Sequence, residues 1–204
     1  MNSLPASTLK HVVGTIVFLS AMCMASPSMA HANITDVATG FFSGLQHPLA
    51  GWDHLLAALA VGILASQHHG RARWIFPLAF PLVVMVGALL GLSVLTLPVA
   101  EWNIAMSVFV MGVLIACAIK LSEPVGVTLI TIFAIAHGYT HALEISTVDA
   151  AALYFLGVFV STGILHLLGL SLCLLANKKN ATLISRLLGV CIAGAGTVLF
   201  FGVA

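Results

Sequence analysis

The sequence predicts an all-α polytopic membrane protein: a bundle of six transmembrane helices that follows a cleaved signal peptide, with the mature N-terminus periplasmic. Three observations lead there. Of 204 residues, 61% are hydrophobic and only 6% are charged, against about a quarter charged in a soluble domain, and the mean hydropathy is +1.16. Beyond residue 30 the apolar residues gather into stretches near or above the ~20 residues a helix needs to cross the hydrocarbon core. The basic residues of that region fall only in alternate connections, which is the asymmetry of the positive-inside rule.

Residues 1–30 read as the signal peptide, the alternative being an uncleaved first transmembrane helix. Lys10 and His11 precede the apolar run VVGTIVFLSAMCMA, and Ser28-Met29-Ala30 offers the small residues a signal peptidase needs. The remainder, residues 31–204, forms a single transmembrane domain beginning at His31. Residues 33–46, NITDVATGFFSGLQ, suit a short amphipathic helix at the outer face with Asn33 as N-cap. The six spans are then about 48–67, 74–97, 102–120, 124–143, 150–176 and 181–203. Arg71 and Arg73 follow the first, Lys120 follows the third, and Lys178, Lys179 and Arg186 lie around the junction of the fifth and sixth. From an outside N-terminus, all of these lie on the cytoplasmic side.

Glycines at Gly87 and Gly91, and at Gly189, Gly194 and Gly196, mark faces where helix backbones approach closely. Pro77 and Pro81 inside the second span free carbonyls that neighbours must satisfy. The four cysteines are isolated in apolar runs without metal-type or disulfide-type spacing, and read as packing residues. Net charge near zero and the lack of a basic patch exclude nucleic acid as a partner. The lipid bilayer is the partner that composition demands, and a homo-oligomer is compatible with it. No GxxxxGK[ST] motif is present, so the chain carries no such nucleotide site.

Polar residues inside such segments are expensive and need a use. The first group is His47-Pro-Leu-Ala-Gly-Trp-Asp53-His54. Pro48 suits the first turn of a helix, which leaves His47 just outside it. On one regular helix His47 and His54 would be about 10 Å apart along the axis, too far to share an ion. Either the chain bends at Pro48 or Gly51, or His47 has another role. The second group is His137-Gly-Tyr-Thr-His141-Ala-Leu-Glu144, in which three side chains at spacings of four and three share a helix face. The predicted topology brings Asp53, His54, His137, His141 and Glu144 to similar depth near the periplasmic side. Imidazoles and carboxylates suit borderline divalent ions such as nickel, cobalt, zinc or iron(II). His166 lies deeper, either as an inward station or as a core histidine bonded to a carbonyl. His31, as a new N-terminus, offers an amine and an imidazole to a metal. His68 and His69, beside Arg71, read as a solvated turn.

These residues admit an intramembrane zinc enzyme with Glu144 as general base, although HGYTHALE lacks the HExxH order. A membrane cytochrome with bis-histidine haem is a third reading. At HPLAGWDHLLAALAVG the chain resembles the HupE/UreJ family of hydrogenase and urease accessory proteins, whose pattern is HPxxGxDHxxxMxxVG. HGYTHALE, similar to HGxxHGxE, and His166-xx-Gly169 support the resemblance. It implies an inner-membrane, multi-pass permease, not an enzyme, that imports nickel or cobalt for metalloenzyme maturation and holds no tightly bound cofactor. It further implies that His47, Asp53, His54, His137, His141 and Glu144 handle the metal, with His166 beside them. Two positions depart from the family. Ala58 replaces a methionine, removing any thioether ligand there, and Ala142 replaces the second glycine of HGxxHGxE.

Overall fold

The computed structural model describes residues 40–93, 100–143, 145, 148–176 and 178–203. Among them the structure is helical without strands: α1 Gly40–Ala50, α2 Trp52–Ser66, α3 Ala72–Gly91, α4 Ala100–Ala116, α5 Glu123–Leu143, α6 Val148–Leu174 and α7 Lys178–Val203. The signal peptide, His31, Asn33 and Glu144 lie outside the described residues.

Five of the six expected spans appear as single helices near their expected bounds, and the first differs. The helix expected to end at residue 46 instead runs from Gly40 through His47 and Pro48 to Ala50. Pro48 thus sits in its last turn and not in the first turn of the next helix. α1 and α2 meet at 82°, with Gly51 in extended conformation between them (φ −101°, ψ 125°). The Gly51 carbonyl accepts the first hydrogen bond of α2, from the Leu55 N–H at 3.0 Å.

Four helical stretches are long and apolar enough to cross a membrane: Ala72–Gly91, Glu123–Leu143, Ala151–Leu174 and Asn180–Gly202. The bent pair α1–α2 makes a fifth if it counts as one span, and α4 is apolar but shorter. The six uniform spans expected from the sequence are therefore four clear ones, a broken one and a short one. Their outer faces are apolar, with Leu78, Leu82, Leu89, Ile164, Val198 and Phe201 all exposed, as lipid contact requires and water contact would not tolerate over so large a surface. This is a multi-pass membrane protein.

The helices associate in four close pairs, α4 with α7, α3 with α5, and α6 with both α1 and α2. Apolar faces do not drive helices together in lipid, so close packing must. Glycines make it possible. A Cβ on Gly138 would collide with the Val84 carbonyl and one on Gly87 with the Ile135 carbonyl; Gly112, Gly189 and Gly196 seat α4 and α7 on each other in the same way. Gly194, expected in that group, faces open space. Ala142, where the family has glycine, fits because Gly91 opposite it has no side chain: a Cβ there would lie 2.7 Å from the Ala142 Cβ.

α2 is the central helix. Leu56, Ala57, Ala60, Val61 and Leu64 pack in one buried cluster with Phe76 and Phe80 of α3, Met111 of α4, Ile130 of α5, Leu170 of α6 and Ile192 of α7. α3 runs unbroken through both prolines, burying Phe76, Phe80, Val84 and Ala88 at helical spacing and turning Trp74, Leu78, Leu82 and Leu89 outward.

Around the end of α2 farthest from His54, side chains bond to the carbonyls of neighbouring segments. Gln67 Nε2 donates to Ile115 O at 2.9 Å, Arg186 Nε to Ala116 O at 2.8 Å, and Arg73 Nε to His68 O at 3.0 Å. The solvated turn expected at His68 and His69 holds for His69 only. His68 is buried, its Nδ1 3.0 Å from Leu64 O, its Nε2 3.2 Å from Leu121 O and its ring on Phe76. Of the cysteines, Cys173 is buried as expected and Cys117, just past the end of α4, is exposed.

Candidate metal centre

The bend at Gly51 resolves the His47 problem. With α1 turned across the top of α2, the His47 and His54 rings stand 5.2 Å apart, centroid to centroid. α5 runs antiparallel to α2 and brings its last turns to the same end. His141 lies 4.6 Å from both His47 and His54, and His137 lies 5.4 Å from His54. Three helices thus bring four imidazoles together. One ligand nitrogen from each of His47, His54 and His141 falls within 4.8 Å of the other two. Two nitrogens at 2.0–2.1 Å from one ion are at most about 4.2 Å apart, so closure on a metal needs only a small contraction.

The imidazoles are prepared for ligation by their other nitrogens. Asp53 Oδ1 lies 2.7 Å from His54 Nδ1 and also accepts the His54 backbone N–H at 2.8 Å. A carboxylate can only accept, so His54 Nδ1 carries the proton and Nε2 is the basic nitrogen. Asp53 thereby orients a ligand. His137 is set in the same way by its own helix: Nδ1–H donates to Phe133 O at 2.9 Å, and its buried Nε2 has no hydrogen-bond partner among the described residues. A buried acceptor without a donor is costly unless it has another use.

Accessibility falls steadily across the site. The Asp53 side chain is 28% exposed and that of His54 11%; His141 is 3% exposed, His137 2% and His166 0%. His166 is not in the four-ring cluster. Its Nδ1–H donates to Pro77 O at 2.9 Å, and it connects to the cluster through Phe80, whose ring touches both His137 and His166.

Two neighbours were not singled out by the sequence. Phe80 was one apolar residue among many, and Tyr154 of α6, fully buried, lays its ring 5.8 Å from that of His47. Gly44 of α1 permits that approach, since a Cβ there would strike the Tyr154 carbonyl. A tyrosine at apolar depth was the available clue. Ala58, buried in α2, offers no donor atom.

The pattern of the family described as HupE / UreJ protein matches residues 19–199 of the chain. A Protein HupE from Rhizobium leguminosarum bv. viciae is 40% identical over 179 residues, which is 88% of this chain and 94% of that relative. No solved structure matches this chain.

Proposed function

Since the chain belongs to the HupE / UreJ family, we propose that it is a secondary transporter importing nickel, or cobalt, across the bacterial inner membrane for metalloenzyme maturation. One observation carries the reading: ligand nitrogens of His47, His54 and His141 converge within 4.8 Å, in a bundle whose outer surface is suited to lipid. Ionisable groups at such depth mark ion pathways. An all-imidazole set with a carboxylate behind it selects borderline divalent ions over magnesium or calcium, which want oxygen.

In this reading the chain spans six times after signal-peptide cleavage, with the broken α1–α2 and the short α4 counted as spans and the mature N-terminus periplasmic. The ion sheds water at the rim near Asp53 and is held by His47, His54 and His141, with His137 beneath them. Asp53 and Glu144 offset its charge, and His31 assists capture. Neutral imidazole binds metal and imidazolium does not, so proton exchange at a histidine provides release. The zinc-enzyme alternative is not favoured by the family.

The test is nickel uptake into cells lacking their own nickel importers, with the unaltered chain, His54→Ala and His141→Ala, and with cobalt, zinc or manganese in excess. Uptake that needs both histidines and yields to cobalt is expected. Background uptake by a chain that reaches the membrane would defeat the reading.

A further inference from the structure

His166 has a nitrogen that the fold itself does not use. The Pro77 carbonyl can only accept, so the hydrogen bond at 2.9 Å fixes the proton on Nδ1 and leaves a lone pair on Nε2. That nitrogen is buried and has no hydrogen-bond partner among the described residues. The Pro77 carbonyl is available because Pro81, four residues on, has no N–H to give it. α3 forgoes one helical hydrogen bond, and α6 supplies the donor in its place.

Two contacts locate this nitrogen relative to the outer cluster. Gly62 packs against the backbone of His166, and Gly62 lies eight residues, about 12 Å, down α2 from His54. The Phe80 ring meets His137 at 5.2 Å and His166 at 5.4 Å, edge-on to both. Phe80 therefore bridges the two rings, and it is itself 3% exposed.

We infer that His166 is a second, inner metal-binding station, separated from the outer cluster by the Phe80 ring and presented to the path by the carbonyl that Pro81 leaves without a helical donor. The inference rests on the import reading above. An ion on His137 Nε2 faces the Phe80 ring, which turns aside to pass it to His166 Nε2 and then lies back. The buried Phe80 ring, in contact with both imidazoles, is the apolar barrier on this path. One imidazole completed by water holds a borderline divalent ion weakly, as a stop on a path must.

The experiment uses the full chain, with nickel binding measured in detergent and nickel uptake measured in liposomes. In His166→Asn the side-chain amide still donates to the Pro77 carbonyl but lacks the Nε2 lone pair. Its outer nickel binding is expected within about twofold of the unaltered chain while uptake falls about tenfold or more. Pro81→Ala gives the Pro77 carbonyl a helical N–H that competes with His166, and uptake is expected to fall severalfold with outer binding unchanged. Phe80→Trp is expected to slow uptake with the same outer binding.

Native uptake by His166→Asn overturns the inner station, and so does loss of its outer nickel binding, which would place His166 in the outer cluster. Native uptake by Pro81→Ala overturns the role of the carbonyl, and native uptake by Phe80→Trp overturns the barrier. Absence of uptake by the unaltered chain is a different failure: it defeats the import reading, and the inner station falls with it.

Discussion

His47 and His54 stand 5.2 Å apart across an 82° bend, each at the end of a different helix. Continuing one helix through Gly51 would separate them by about 10 Å along its axis and dissolve the cluster.

The bend leaves little room at its corner. A Cβ on Gly51 would lie 2.7 Å from Asp53 Oδ1 and 3.1 Å from His54 Nδ1. Gly51→Ala is therefore expected to push the carboxylate off the imidazole and weaken nickel binding about tenfold, the usual cost of disturbing a ligand's supporting partner. Titration calorimetry of the purified protein with nickel chloride checks it.

Asp53→Asn separates charge from geometry. The asparagine oxygen still accepts from His54 Nδ1–H and still suits the first turn of α2, but the negative charge behind the ligand is gone. Nickel affinity is expected to drop about 10- to 100-fold with thermal stability unchanged. Unchanged affinity would reduce Asp53 to a helix-terminal group.

The glycine contacts predict opposite outcomes for two identical substitutions. Gly138→Ala drives a methyl group into the Val84 carbonyl and must part α3 from α5, a loss of about 1–3 kcal/mol by overpacking. Gly194→Ala meets nothing within 4 Å and gains up to about 1 kcal/mol of helix propensity. Thermal unfolding in detergent should show the first below the unaltered chain and the second level with it or above.

Cys117, exposed just past the end of α4, reports orientation. If the basic connections are cytoplasmic, as proposed, a membrane-impermeant maleimide is expected to label it in inside-out vesicles and not in intact spheroplasts. The reverse pattern would invert the topology.

Much of the site was legible along the chain. His137 and His141 share a helix face because spacing alone puts them there, and Asp53 beside His54 needed no tertiary information. The choice between Pro48 and Gly51 as the bend was not legible. Pro48 is as much at home in the first turn of a helix as it proves to be in the last turn of α1, and only the packing of α1 against α6, through Gly44 and Tyr154, decides between them. His68 misled because its neighbours His69 and Arg71 are exposed, whereas its own ring finds the Leu121 carbonyl, 53 residues away.

By itself the sequence determined the membrane class, the approximate bounds of most helices and the family, because hydropathy, charge and short-range spacing are local properties that each segment carries wherever it packs. Tertiary structure alone decided which helices pair, that His47 and His141 join His54, that Phe80 touches both His137 and His166, and that His166 takes the carbonyl Pro81 leaves free. The reason is physical: helices that are apolar all round carry no stripe that names a partner. Their neighbours are chosen by where small residues let backbones touch, a fit between two surfaces that neither segment displays alone.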